Sequence, residues 1–322
     1  MTQVGYDARK YHELLLMVEQ LGYNVPLIGN IYILPFGAAR IMNANRIPGC
    51  VVTDKLLAEI DKERNSPDKG VGARLLRAAK MYAWLKGMGY AGVHIGGHNI
   101  KYEQVEFVIE KGEELSENWE ELIHEFDYPQ KNGFYIFERD EKTGLNSTRE
   151  VERKNLPLDD KVPFVYRLSR FVHNLVFEPN RNLFGLMQKV SAKVDGGSLE
   201  KPYHWVEHMG KVLLYDCKDC GDCALMDIGY VCPVSQCPKN QRNGACEGSY
   251  DGWCEVYPGE RKCIWVKAYA RLKKYGEEEM LNSYLVKPND WGLNQTSSWI
   301  NFYLGRDHSA ERLGIKNPKK QD

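Results

Sequence analysis

Eight of the chain's nine cysteines fall between positions 217 and 263. The densest part reads CKDCGDCALMDIGYVCPVSQCPKN, from Cys217 to Asn240, and Cys246, Cys254 and Cys263 follow. So many thiols in one short segment leave two ways to fold it, around disulfides or around metal. The beginning of the chain, MTQVGYDARKYHELL, has neither the basic start nor the apolar core of a secretory signal. That reads as a cytoplasmic address, where disulfides are rare and clustered cysteines more often bind metal. Metal is therefore the expectation.

The spacing is Cys217-x2-Cys220-x2-Cys223, then Cys232-Pro, Cys237-Pro, Cys246, Cys254 and Cys263. A structural zinc usually takes two thiolates from one C-x2-C knuckle and two from another. Three cysteines at C-x2-C-x2-C leave one over in that scheme. A cubane iron–sulfur cluster offers four iron corners, so a tight loop can supply three ligands and a distant Cys-Pro the fourth. The eight cysteines then make two [4Fe–4S] clusters. One or two zinc sites remain the alternative, and the assignment of cysteines to clusters stays open. Cys50, in RIPGCVVTDK, has no cysteine near it in sequence and reads as a small buried hydrophobe. HWVEH at 204–208 fits the H-x-x-E-H pattern of zinc proteases. Its place just before the cysteines reads instead as a helix end packed against their module.

At 322 residues and 37.0 kDa the chain is long enough for about two domains. A net charge of −1 gives no overall basic field to suggest nucleic acid. No apolar run reaches the ~18 residues that would span a bilayer. Along residues 1 to 127 strands alternate with helices, which predicts a parallel sheet. TQVGY reads as a short strand, followed by a helix with Tyr11, Leu14, Leu15, Val18 and Leu21 at helical spacing and Gly22 as its stop. NVPLIGNIYI is a second strand, with Gly29 and Asn30 beginning a loop. A short helix around 38–43 and a longer one in VGARLLRAAKMYAWLKGMG lead to a third strand, YAGVHIGGHN, and a closing helix over 101–111. Residues 128–165 read as a connector lying on a surface, and VPFVYRLSRFVHNLVFE as an amphipathic helix. IWVKAYARLKKYGEE is a further helix, before an aromatic tail.

With these residues laid out, a family emerges. DCKDCGDCAL, CPVSQCPKNQRNGACEGSYDGWCEV, KCIWVKAYARL and DWGLNQTSSWINFYLGRDH together closely resemble the C-terminal cysteine-rich domain of bacterial and archaeal methylenetetrahydrofolate reductases, over about 205–310. In anaerobes that domain is a separate small subunit or a fusion, and the resemblance implies that it carries electrons to a flavin. Residues 1 to about 110 resemble the last part of the same enzyme's flavoprotein barrel. TQVGYD is similar to a strand ending in Thr-Gln-x-x-x-Asp, whose glutamine bonds the folate pterin, which places that role on Gln3. VPLIGNIYI is similar to the next strand and AGVHIGG to the last, whose histidine matches His94. Ligands of such barrels sit at the C-terminal ends of the strands. Gln3, Asn30, Tyr32, His94 and His98 lie in or just beyond the three strands and are the candidate folate-binding residues.

An eight-stranded barrel needs about 250 residues, and nothing here corresponds to the family's glutamate acid or to most of its flavin contacts. The chain therefore reads as half of a split enzyme, or as the product of an open reading frame with a truncated start. The expected fold is α/β, with partial TIM-barrel βα units over 1–127, a connector and amphipathic helix over 128–204, and a small cysteine-rich metal-binding domain over 205–322. The resemblance implies a component of methylenetetrahydrofolate reductase that is not self-sufficient alone. The implied cofactors are two [4Fe–4S] clusters, or zinc, and a flavin (FAD or FMN) shared with or bound by the complete barrel. The implied partners are the folate substrate, a protein supplying the missing strands and an electron-donor protein. A non-catalytic electron-transfer or scaffold subunit is the rival reading.

Overall fold

The computed structural model describes residues 1–152, 162–246 and 248–318. The chain divides into two compact units, Met1–Lys154 and Asn155–Asp322. The first is mixed α/β. Helix α1 (Ala8–Gln20) starts where the Asp7 carboxylate accepts from the Arg9 backbone N–H. Strand β1 (Ile28–Ile33), helices α2 (Phe36–Asn43), α3 (Asp54–Glu63) and α4 (Val71–Gly87), strand β2 (Gly92–Gly97) and helix α5 (Tyr102–Leu115) follow. A short α6 (Trp119–Leu122) and an antiparallel pair, β3 (Phe137–Arg139) with β4 (Asn146–Glu150), complete the unit.

β1 and β2 pair in parallel, with Asn30 opposite His94 and Tyr32 opposite Gly96. Alternation along β1 buries Gly29, Ile31 and Ile33 and leaves Ile28 exposed and Asn30 and Tyr32 half-buried. The buried face packs on α4, whose Met81, Trp84 and Leu85 have no exposure. Gly29 belongs to this interface. A Cβ there would lie 2.6 Å from both Leu85 methyl carbons.

Several expectations need correction. Residues 2–6 form no strand, although the Thr2 N–H donates to Ile28 O at 2.9 Å. The parallel sheet therefore has two strands rather than three, and no closed barrel forms among the described residues. Gly29 and Asn30 lie inside β1, because the pattern that suggested a loop is a glycine fitted against Leu85. On α1 the buried residues are Ala8, Arg9, Tyr11 and Glu13, while Leu14 and Leu21 are exposed.

The reason lies in the stretch expected to be a surface connector. Arg9 Nε donates to Asn146 Oδ1 at 2.9 Å, and the Ile136 N–H donates to Glu13 Oε2 at 2.5 Å. These bonds lay the β3–β4 hairpin against the polar side of α1, and Tyr128, Phe137 and Leu145 are buried with it. The remainder of that stretch, 153–161, lies outside the described residues.

The second unit is helical. Helix α7 (Phe164–Val172) runs into a wider turn over His173–Phe177, then come α8 (Asn182–Val194) and α9 (Glu200–Tyr215). The cysteine segment holds a single turn, α10 (Pro233–Gln236), and ends at α11 (Ile264–Lys273). The tail forms α12 (Met280–Ser283), α13 (Ser298–Tyr303) and α14 (His308–Arg312). Phe302 and Tyr303 of the tail are core, in one cluster with Ala310 and with Phe184 of α8, while Trp291 is exposed. A second cluster joins Ala224, Ile228, Val231, Ile264, Ala268 and Val286. No helix among the described residues is long and apolar enough to cross a membrane.

Gly29→Val tests the β1–α4 interface. Forcing side-chain atoms against Leu85 should cost about 1–3 kcal/mol of stability, read as a lower urea midpoint with an unchanged m-value.

Candidate metal centre

Helix α9 ends at Asp216, which turns the chain sharply in the left-handed conformation at φ 54°. Asp219 (φ 55°) and Gly221 (φ 74°) repeat that turn inside CKDCGDC and curl its three cysteines together. Gly221 has no substitute: a Cβ there would lie 1.8 Å from Leu293 O. The Asp219 N–H donates to Cys217 Sγ at 3.4 Å, and the Cys220 thiol donates to Asp222 O at 3.7 Å. Cys232 precedes α10, whose Pro233 needs no N–H partner at its first position.

The eight cysteines fall into two sets of four. Cys217, Cys220, Cys223 and Cys232 line one cavity, with His208, Lys211, Asp222 and Arg242 beside them. Cys237, Cys246, Cys254 and Cys263 line another, with Lys239, Arg261 and Lys262 on its wall. Backbone bridges shape the second. The Cys254 N–H donates to Arg261 O at 2.9 Å and the Cys263 N–H to Gly252 O at 2.8 Å. Cys263 also sits at the N-terminus of α11. Among the described residues no three His, Cys, Asp or Glu side chains converge closely enough to hold a single metal ion. The thiols of each set border a shared space rather than a point.

Burial decides the protonation of Cys217 and Cys220. It pushes Cys217 up to about 11, partly opposed by the Asp219 N–H and the Lys211 charge. Burial, reinforced by Cys223 and Cys232, pushes Cys220 to about 12. Without metal these are neutral thiols, and metal uptake must release their protons. Two polar atoms in this cavity's wall are buried without a protein partner, His208 Nε2 and Arg242 Nε. A cavity lined by four thiols and two unsatisfied nitrogens fits a group that offers both metal and hydrogen-bond acceptors.

The HWVEH stretch lies within α9, and each of its charged or imidazole side chains faces the module. His204 Nε2 pairs with Asp219 Oδ1 at 2.8 Å. Glu207, 3 % exposed, accepts from Lys211 at 2.8 Å and from Ser297 and Ser298 at the start of α13. Burial opposes the charge on Glu207, but Lys211 outweighs it and holds the carboxyl below its usual range.

Asp222, between Cys220 and Cys223, ties the loop to the tail. It accepts from the Asp290 N–H at 3.0 Å and from both the backbone and the ring of His308, and pairs with Arg242 at 3.2 Å. The other ring nitrogen of His308 meets Asp227 at 2.9 Å. Burial alone would raise Asp222, but His308, the Asp290 N–H and Arg242 hold it at about 2. Two carboxylates likewise overcome burial and raise His308.

In the first unit Asn30 and His94 meet across the strand pair, Oδ1 to Nδ1 at 3.4 Å, and Tyr32 follows Asn30 on the same side of β1. His98 is exposed just past β2. The Gln3 side-chain amide donates to Cys50 Sγ at 3.3 Å, and its backbone carbonyl shares the Tyr11 hydroxyl with Asn30 O. Cys50 is buried, as expected. His208, Lys211, Asp222, Arg242 and His308 were missed as site residues; Asp222 carried a signal as one of two carboxylates, with Asp219, inside the C-x2-C pairs, and His208 as part of HWVEH.

The structure thus defines a helical module with two four-cysteine cavities. Residues 197–292, which contain all eight of these cysteines, match the family model described as methylene-tetrahydrofolate reductase C terminal. No curated protein and no solved structure matches the chain.

Replacing Asp222 with alanine removes the buried carboxylate that pairs with both His308 and Arg242. The expected cost is about 3–5 kcal/mol, measured by urea unfolding. Asp216→Asn removes only a surface pair with Lys218 and should cost under about 1 kcal/mol.

Proposed function

We propose that this chain is an electron-transfer component of a methylenetetrahydrofolate reductase, with a [4Fe–4S] cluster in each four-cysteine cavity. The observation that carries the reading is the division of the eight cysteines, four to a cavity, within the residues that match the reductase C-terminal family. Cubanes suit the donor sets better than zinc, because three thiols of one C-x2-C-x2-C loop and a fourth from Cys232-Pro match four iron corners, whereas a zinc knuckle takes two from each C-x2-C. When bound, the clusters supply one-electron redox chemistry towards a flavin, which reduces 5,10-methylenetetrahydrofolate to 5-methyltetrahydrofolate by hydride transfer.

The chain's own residues have separable tasks. The cysteines give up their protons to metal. Lys211 and Arg242 in the first cavity, and Lys239, Arg261 and Lys262 in the second, offset the thiolate charge. His208 Nε2 is free to donate a hydrogen bond to a cluster sulfur, which tunes potential. Asn30, Tyr32 and His94 offer hydrogen-bonding groups on one side of the strand pair, where a folate could lie once further strands complete that face. The two-stranded sheet favours electron transfer over an independent active site.

Protein purified anaerobically should be brown, with about eight irons and eight sulfides per chain. Cys220→Ser and Cys254→Ser should each lose about half of the iron, and the double variant nearly all. A colourless protein carrying stoichiometric zinc, or single variants that each lose all the iron, would contradict this assignment.

The chain alone should not oxidise methyltetrahydrofolate with added flavin and an artificial acceptor. Two paired strands cannot hold a flavin against a folate in attack geometry, a positioning effect worth ~7 kcal/mol or more of barrier. Robust turnover would refute the electron-transfer reading.

A further inference from the structure

The second unit contains a further cavity, of about 280 Å³, that the cysteine sites do not account for. Leu168 and Val172 of α7, Phe177 beyond it, Leu214 of α9 and Trp299 and Phe302 of α13 give it an apolar, largely aromatic lining. At one side the lining becomes polar, with Lys211, Glu207 and Ser298. These three residues and Cys223 also border the first four-cysteine cavity, so the two spaces share a wall.

Two observations point to a ligand. Gly210 lies in the interior of α9 and lines this cavity, and a Cβ built on it meets nothing within 4 Å. Glycine there weakens the helix relative to alanine, and no close packing in the chain explains it; it keeps the space open. The second observation is Lys211. Its ammonium has three N–H donors, and the protein takes two, through Glu207 and Ser298. One donor is left at the polar side of an apolar, aromatic cavity.

We propose that this cavity binds a flat, uncharged, conjugated ring bearing a carbonyl acceptor, the chemistry shared by quinones and the ring of a flavin. The aromatic side chains cover its faces, and the remaining Lys211 N–H donates to its carbonyl oxygen. Unfunctionalised alkyl chains would fill the apolar part but leave that donor unmatched. Bound there, the ring lies against the wall formed by Cys223, next to whatever group the first four cysteines hold. Binding as such does not require that group to be an iron–sulfur cluster, so this site stands or falls separately from the metal assignment.

Equilibrium dialysis of the full chain against menadione and, in a parallel arm, riboflavin tests the site and separates the two sources. One of the two should bind at one molecule per chain with a micromolar Kd. Gly210→Leu should weaken that binding at least tenfold, with metal content and circular dichroism unchanged. Trp299→Leu, which removes one aromatic wall, should weaken it by a smaller factor. Should Gly210→Leu fail to fold, Gly210→Ala serves in its place with a reduced effect. Absence of saturable binding of both probes to the unaltered chain, or unchanged affinity in folded Gly210→Leu, would overturn the proposal.

Discussion

A carboxylate with 1 % exposure, Asp222, sits between Cys220 and Cys223 and is answered on every side by donors from distant parts of the unit. His308 comes from α14, Arg242 from the stretch after the second Cys-Pro, and the Asp290 N–H from the segment before α13. A buried charge without such partners would be prohibitively costly. Once Asp222 is inside, the tail cannot be elsewhere, because only the tail supplies His308 and Asp290. The second carboxylate on His308, Asp227, closes the arrangement and reaches Arg312. The position of the first cysteine loop thus follows from an ion network as much as from the thiols.

On the proposed reading, metal bound at the same loop would also hold the fold. The cluster of apolar residues nearest the cysteines is small, six buried side chains of which two are alanine. Burial of that size offsets little of the conformational entropy lost by the irregular stretch from 217 to 263. Bonds from metal to four thiolates in each cavity would cross-link that stretch at eight points. In metal-free protein Cys217 and Cys220 are instead raised, neutral thiols. Binding free energy in such a module is also folding free energy.

Sequence made the helices legible and the sheet less so. The spans that became α4, β2, α7 and α11 follow periodicity and need no long-range information. Residues 2–6 look like a strand because β-branched and aromatic residues suit one, yet a single backbone bond to Ile28 is all the pairing they make. The burial of Arg9 and Glu13 could not be read from α1, since it depends on Asn146 and Ile136 over 120 residues away. The eight-cysteine set and its division into two fours were plain from spacing, and which cysteines make up each four was not. Cys232-Pro and Cys237-Pro look interchangeable in sequence. They are separated because the single turn of α10 stands between them and points them into different cavities.

Helix α9 is where these strands of argument meet. Its HWVEH stretch resembles a metal-binding pattern in spacing, but its histidines do not converge on one ion. His204 holds the loop through Asp219, Glu207 holds the start of α13, and Lys211 one turn on stands between two cavities. His208 and Lys211 each retain hydrogen-bonding capacity that the protein does not use, on opposite demands: one beside four thiols, the other beside aromatic rings. A helix kept only for packing would bury its apolar side chains and expose such groups. Here Trp205, Val206, Met209 and Leu213 are exposed while Glu207 is buried and His208 and Lys211 are largely covered, so the polar side of α9 has been spent on the site.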